Sequence, residues 1–323
     1  MHLKENARER MNELGATKCP FLFIIDFEMK KPMVYPLNDV PDHIRFEING
    51  NKNYEEAKPL SNFFKFDKKP ISFADYEKSF KKVATNLHYG NSYLLNLTAQ
   101  TEIITDLSLE QIFSVSKARY KLLIKDELVV FSPEKFVQIN NNIIRSFPMK
   151  GTIDADVPNA KAIILADEKE YSEHVTIVDL IRNDLSLISN NVRVEKFRYI
   201  EKLKTNAKSL LQVSSEIAGD LPAGYQRNIG DIIFNLLPAG SVSGAPKAKT
   251  TEIIYEAEGQ LRGYYTGIVG VYDGDSLDSG VMIRYIEKKN QKLYYRSGGG
   301  ITAKSSLKSE YQEMIDKVYV PFI

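Results

Sequence analysis

Apolar positions recur at helical spacing after Ser72: Phe73, Tyr76, Phe80, Val83, Ala84 and Leu87 fall on one side of a 3.6-residue turn. Ser72 is a natural N-cap for this helix, and Gly90 ends it just beyond His88. The same periodicity predicts helices over residues 2–14 and 306–319. A longer one runs from Glu168 to Ser186, with Val175, Val178, Leu180 and Ile181 as its apolar face. Elsewhere apolar residues run together or alternate, which is the strand pattern. Phe21 to Phe27, Tyr93 to Thr98 and Leu128 to Phe131 read as strands. Val137 to Ile139 and Ile143 to Phe147 flank three asparagines and predict a hairpin. Tyr264 to Tyr272, Ser279 to Glu287 and Gln291 to Arg296 predict successive antiparallel strands, turned at Asp273-Gly274-Asp275 and Lys288-Lys289-Asn290. The polar stretch from Asn49 to Pro70 reads as a surface connection. The Gly- and Pro-rich residues 237–247 read as a shaped loop leading into a helix near Thr250 to Glu258. Strands and helices mixed without βαβ alternation predict an α+β fold.

Composition narrows the function without naming it. The 323 residues carry 43 basic and 42 acidic side chains, a net charge of +1, so no basic excess exists to draw nucleic acid or an anionic membrane. The apolar run from Phe21 to Ile25 is too short to span a bilayer. One cysteine, Cys19, rules out an intrachain disulfide framework and fits a reducing compartment. A cytoplasmic protein without nucleic-acid or membrane partners is expected.

Chemistry concentrates in four places. Pro148-Met149-Lys150-Gly151-Thr152 puts one amine at a strand end beside a glycine. Glu170 and Glu173, and again Glu310 and Glu313, are spaced i, i+3, so each pair shares a helical face. Two such faces brought together would form a hard-oxygen site for a divalent ion; apart, they are solvated helix faces or dipole partners. Gly298-Gly299-Gly300 either opens backbone amides to an anion or marks a tight turn, and Arg284 and Lys317 could add charge there. Lysine is a nucleophile only in a special setting, so Lys150 alone does not establish catalysis.

Taken together, these segments resemble the chorismate-utilising enzyme family, of the anthranilate synthase component I-like type. The matching stretches are NSYLLNLT from Asn91, Ser132-Pro133-Glu134, PMKGT, EYSEHVTIVDLIRND from Glu170, GSVSGAPK from Gly240, RGYYTG from Arg262, Ile283-Arg284, Gly298 to Ile301, and SEYQEMIDK. They run in family order from about residue 90 to the end. The resemblance implies one chorismate-binding domain over 1–323, divergent over 1–89 and motif-bearing over 90–323. It implies two stacked antiparallel sheets flanked by helices, with the site in a cleft. It also implies Mg²⁺, with Glu173 and Glu313 as direct ligands and Glu170 and Glu310 acting through water. Gly298, Gly299 and Gly300 with Lys317 would assist the ring carboxylate. Tyr265 and Arg284 would face the enolpyruvyl carboxylate, and Ser243 and Thr152 would line the substrate.

Lys150 separates branches of that family. Relatives of anthranilate or isochorismate type carry alanine there, whereas aminodeoxychorismate synthase component I carries lysine. The lysine-bearing branch implies amine attack on C2 of chorismate, then ammonia addition at C4. A family histidine corresponds to Gln212, which can donate a hydrogen bond but not a proton at neutral pH; Lys247, another side chain, a water or the substrate would act as the acid in its place. No tryptophan-binding segment is recognisable. Lys18-Cys19-Pro20 lacks a glutaminase setting, so a glutamine amidotransferase partner is expected to supply ammonia.

Overall fold

The computed structural model describes residues 2–55, 64–204 and 209–321. Helix α1 (His2–Ala16) leads to strands β1 (Phe21–Ile25), β2 (Met33–Pro36) and β3 (Ile44–Ile48). Short strands β4 (Asn51–Lys52) and β5 (Phe66–Lys69) precede α2 (Phe73–His88) and the long β6 (Leu94–Thr105). Then follow α3 (Leu109–Val115), β7 (Tyr120–Ile124), β8 (Leu128–Ser132), β9 (Lys135–Asn140), β10 (Ile143–Ser146) and β11 (Met149–Asp154). Helices α4 (Ala160–Ala166) and α5 (Glu168–Ser186) come before β12 (Asn190–Lys204) and β13 (Ser209–Asp220). The last part contains α6 (Ile229–Asn235), β14 (Gly244–Ala245), α7 (Lys247–Glu258), β15 (Ile268–Tyr272) and β16 (Leu277–Val281). It ends with β17 (Tyr285–Lys289), β18 (Lys292–Ile301) and α8 (Leu307–Asp316).

The strands form two antiparallel sheets. One has the order β11-β13-β10-β9-β16-β15-β1-β2, with β12 on β13; the other has β14-β6-β18-β17-β8-β7-β3-β4, with β5 on β6. Strand β1 explains why its sequence is wholly apolar. Phe21, Phe23 and Ile25 pack toward α1, α5 and α6, while Leu22 and Ile24 pack on Tyr120, Leu122 and Val130 of the facing sheet. Helices α2, α7 and α8 cover the outer face of the second sheet around Leu95 and Leu97. The result is the expected α+β architecture of stacked sheets with helices outside. Among the described residues, no helix is long and apolar enough to cross a membrane.

Residues before 90 supply β1 to β5 and therefore build both sheets, so position 90 is not a structural boundary. Ser72 caps α2 by accepting from the Asp75 amide. The asparagine hairpin pairs Ile143 with Asn140, and both turn residues, Asn141 and Asn142, have left-handed φ.

Several expectations change. On α5 the buried face is Ile177, Val178, Ile181 and Leu185, and Val175 is exposed, because the helix is rotated to present its acidic first turns inward. Ser279 to Glu287 is not one strand: β16 ends in the first sheet and β17 begins in the second, with Arg284 at φ 51° in the crossover. Residues 263–266 form turns before β15. The connection from Asn49 to Pro70 carries two short edge strands, and its residues 56–63 lie outside the described ones. The Gly298-Gly299-Gly300 tract is neither loop nor nest. It continues β18 in register with β6, opposite Thr98, Leu97 and Asn96, and none of the three has a positive φ.

Candidate active site

A cavity of about 460 Å³ opens between β11, β13, β18, α5 and α8. Strand β11 brings Lys150 and Thr152 to its wall, with a register shift between them at Gly151. Gly151 has φ 76°, and a Cβ there would sit 3.2 Å from Glu170 Oε2. Strand β13 runs alongside and sets Gln212 opposite Thr152; both line the cavity. Gln212 therefore faces the site rather than packing on a sheet edge.

The four glutamates arrive from two helices and line this one cavity. Asp167 caps α5 through the Glu170 amide, which fixes the start of the helix and the face carrying Glu170 and Glu173. Lys150 Nζ lies 3.9 Å from Glu173 Oε2, with that carboxylate buried. The glycines of β18 make the convergence possible. A Cβ at Gly299 would meet Glu313 Oε1 at 2.9 Å and Glu310 Oε2 at 3.4 Å; one at Gly300 would meet Lys150 Nζ at 3.0 Å. Side chains here would fill the space that the amine and carboxylates now share. Beyond Arg296, β18 pairs among the described residues with β6 only, which leaves its other backbone edge without a strand partner there.

Among the described residues, no group of three or more acids, histidines or cysteines is drawn together at metal-holding distance. The four carboxylates nonetheless form a donor set of hard oxygens, the chemistry that suits Mg²⁺ completed by water and substrate.

Lys317 also lines the cavity, where its Nζ donates to Gly298 O at 2.8 Å and pairs with Glu313 at 2.6 Å. Arg284 lines it too, but its Nη1 donates to Lys317 O and its guanidinium stacks 4.4 Å from the Tyr319 ring centroid. Tyr265 is buried in the wall, and that burial pushes its phenol above the ordinary range. Two expected residues stand elsewhere. Lys247 is held outside the cavity in a surface groove, tied at 2.8 Å to both Asp184 Oδ2 and Leu236 O, where it partly offsets the upward shift that burial gives the Asp184 carboxyl. Ser243 is fully buried behind the wall and donates to Ala239 O at 2.8 Å; Ser241 and Val242 take the lining positions.

Sequence reasoning missed Glu134. It sits just after β8, lines the same cavity as Lys150, and accepts from Ser241 Oγ at 2.6 Å. Burial raises its carboxyl above the usual carboxylate range; Ser241, Lys150 and Lys317 pull it partly back. An isolated acid after Pro133 has no spacing partner, so only the quoted Ser-Pro-Glu motif marked it. Among the described residues no histidine lines the cavity. The nearby His174 is bound to Ser215 Oγ at 2.7 Å, and burial with Arg198 and Lys150 pushes its pKa down to about 4, so it is neutral near pH 7.

A family profile described as chorismate binding enzyme matches residues 26–322. An uncharacterized PabA-like protein of Haemophilus influenzae is 51% identical over 315 residues, 97% of this chain and 95% of the relative. Aminodeoxychorismate synthase component 1 of Escherichia coli is 31% identical over 258 residues, 75% of this chain and 56% of that protein. The solved structure of MenF, the menaquinone-specific isochorismate synthase of Escherichia coli, aligns at a TM-score of 0.73 and 14% identity, covering 97% of this chain and 80% of that one. At that identity the likeness speaks for the two-sheet fold alone.

Proposed function

The chain belongs to the chorismate-binding enzyme family, and from that premise we propose that it converts chorismate and ammonia to 4-amino-4-deoxychorismate. The observation that carries this reading is an amine inside the cavity: Lys150 Nζ stands 3.9 Å from Glu173 Oε2, among the carboxylates and under the β18 glycines. In the proposed reaction the Lys150 amine bonds to C2 of chorismate as both ring double bonds shift and the C4–O bond breaks. Glu134, protonated, gives its proton to the departing hydroxyl, which leaves as water. Ammonia then bonds to C4, both double bonds shift back, and the C2–N bond to Lys150 breaks. The carboxylate of Glu134 takes up the surplus ammonium proton. Splitting one displacement into two lowers each barrier.

Glu173 and Glu313 would hold Mg²⁺ directly, with Glu170 and Glu310 through water. When bound, the ion supplies charge neutralisation and orientation for the ring carboxylate. Lys317 and the open amide edge of β18 would orient the same carboxylate. Ammonia would come from a glutamine amidotransferase subunit, since Cys19 lies outside the cavity beside Pro20 and has no hydrolase setting.

The test is product analysis. With chorismate, Mg²⁺ and ammonium salt at alkaline pH, where free NH₃ is present, the chain is expected to yield 4-amino-4-deoxychorismate. EDTA should stop the reaction, and glutamine alone should not support it. Anthranilate or isochorismate as the chromatographed product would overturn the reading.

Gln212 is assigned to the substrate's polar oxygens. Gln212→Leu removes the hydrogen-bond donor and leaves one oxygen unpaired, a loss of about 1–3 kcal/mol, or roughly five- to 150-fold in turnover if it falls on the transition state. Unchanged chorismate turnover in that variant would remove Gln212 from the site.

A further inference from the structure

A second, far smaller cavity of about 20 Å³ lies behind Glu134. Roughly 10–15 Å³ is enough to seat one water-sized molecule, so this chamber has room for one. Strands β9 and β10, helix α5 and the loop over 236–241 enclose it. Its two ends meet spaces already described. Glu134 and Ser241 line both the chamber and the substrate cavity. Asp184 lines both the chamber and the surface groove that holds Lys247. The Lys247–Asp184 pair, at 2.8 Å, closes this outer end, and Lys247 also holds the carbonyl of Leu236, another wall position. Gly240 lets the loop seal against α5 here: a Cβ would stand 3.1 Å from Asp184 Oδ2 and 3.0 Å from Leu180 Cδ2.

The polar part of the wall is rich in acceptors. Ser241 Oγ donates to Glu134 Oε1 at 2.6 Å, and Ser146 Oγ donates to Phe136 O at 3.0 Å. Both hydroxyl protons are thus committed, and the oxygens keep lone pairs to offer. A guest with several N–H donors suits such a wall, and ammonia carries three. The site is also close to neutral, since Lys247 balances Asp184 and the acid role of Glu134 requires its protonated form. Neutral NH₃ enters without the desolvation cost that a buried, incompletely paired ammonium ion would meet. Position adds the last element. Glu134 protonates the oxygen that leaves C4, and C4 is the atom to which ammonia must next bond. A molecule held behind Glu134 is one step from that carbon once water has departed.

We propose that this chamber is an ammonia-binding site that receives NH₃ past the Lys247–Asp184 pair and hands it to C4 beside Glu134. It selects the amine by size, because it seats one non-hydrogen atom and excludes alkylamines. The inference rests on the chorismate-amination reading given above.

The Lys150 adduct separates the chamber from that reading. It is formed from chorismate and Mg²⁺ without ammonia, then discharged by an added amine and followed by rapid-quench mass spectrometry. Ala239 lines the chamber but, among the described residues, not the substrate cavity, and Ala239→Val fills the chamber with two more methyl groups. This variant is expected to form the adduct at the wild-type rate, whereas ammonia should discharge it about 10- to 100-fold more slowly, the usual cost of a misplaced reactant. Val137→Ala enlarges the same chamber. At equal free-amine concentration, methylamine should fail to discharge the wild-type adduct, although it is the stronger nucleophile. It should discharge the adduct of Val137→Ala and give the N-methyl product. Unaltered discharge by ammonia in Ala239→Val would mean that the chamber holds only a structural water and would overturn the proposal. Methylamine acting on the wild-type adduct as fast as ammonia would overturn it too. Should Ala239→Val lose its cooperative thermal transition, Val137→Ala decides alone, and continued exclusion of methylamine there overturns the proposal. Wild-type protein that forms no adduct refutes the functional reading itself, and this inference falls with it.

Discussion

Lys150→Ala is expected to lower 4-amino-4-deoxychorismate formation by about 10³-fold or more, roughly 4 kcal/mol of barrier. The lysine is the one amine on β11, and its head group reaches the space that Gly300 leaves open, 3.0 Å from where a Cβ would stand. No neighbouring side chain can take over bond formation at C2: the other cation beside the glutamates, Lys317, is held by Gly298 O and Glu313. Residual activity would reflect direct ammonia attack. The fold should tolerate the change, because the side chain is 19% exposed and, among the described residues, its ion pair with Glu173 is long, at 3.9 Å. Steady-state turnover with ammonium, alongside a thermal melt, gives both readouts. A variant that melts like wild type and turns over at the wild-type rate would end the nucleophile assignment.

Glu134→Gln is expected to cost about 10²- to 10⁴-fold in the same assay, the usual worth of a positioned general acid. The amide keeps the acceptor for Ser241 Oγ but has no proton to give. The pH profile adds a second signature. Burial holds the Glu134 carboxyl above its ordinary range, so its protonated form persists to higher pH than an exposed glutamate's. The wild-type acid-dependent rate should therefore fall as pH rises through that raised value, and the variant should lose this limb. Stability follows the same sign. Burial of the protonated carboxyl is favourable below the ordinary glutamate range and becomes unfavourable as pH rises through the folded-state value. The variant should thus melt no lower than wild type near neutral pH. An unchanged profile with full activity would return the search for an acid to other groups.

Much of this site was legible in the chain because its chemistry is local. The i, i+3 glutamate pairs define faces whatever surrounds them, and Lys150 stands out as one amine beside a glycine, whereas Gln212 and Thr152 were marked only by the family motifs and meet through the β11–β13 pairing. The α2 cap and the asparagine hairpin were equally local. What escaped the sequence depended on long-range packing. Glycines 298–300 look like a loop until β6 is laid beside them, after which they are a strand stripped of side chains to admit carboxylates and an amine. Lys247 looks catalytic until Asp184, far back on α5, is seen to claim it. Ser279 to Glu287 alternates like one strand, yet the chain changes sheets at Arg284. Glu134 acquires its raised protonation range only from burial, which a single acid after a proline cannot announce.

The covalent step is the centre of the account, and intact mass of the protein tests it most directly. With chorismate and Mg²⁺ but no ammonia, the wild-type chain should gain the mass of chorismate less one water, and peptide mapping should place the adduct on Lys150. Borohydride-independent persistence through rapid acid quenching is expected, because the bond is an amine rather than an imine. A chain that turns over chorismate with ammonium yet never carries this mass, or carries it equally in Lys150→Ala, would contradict the mechanism.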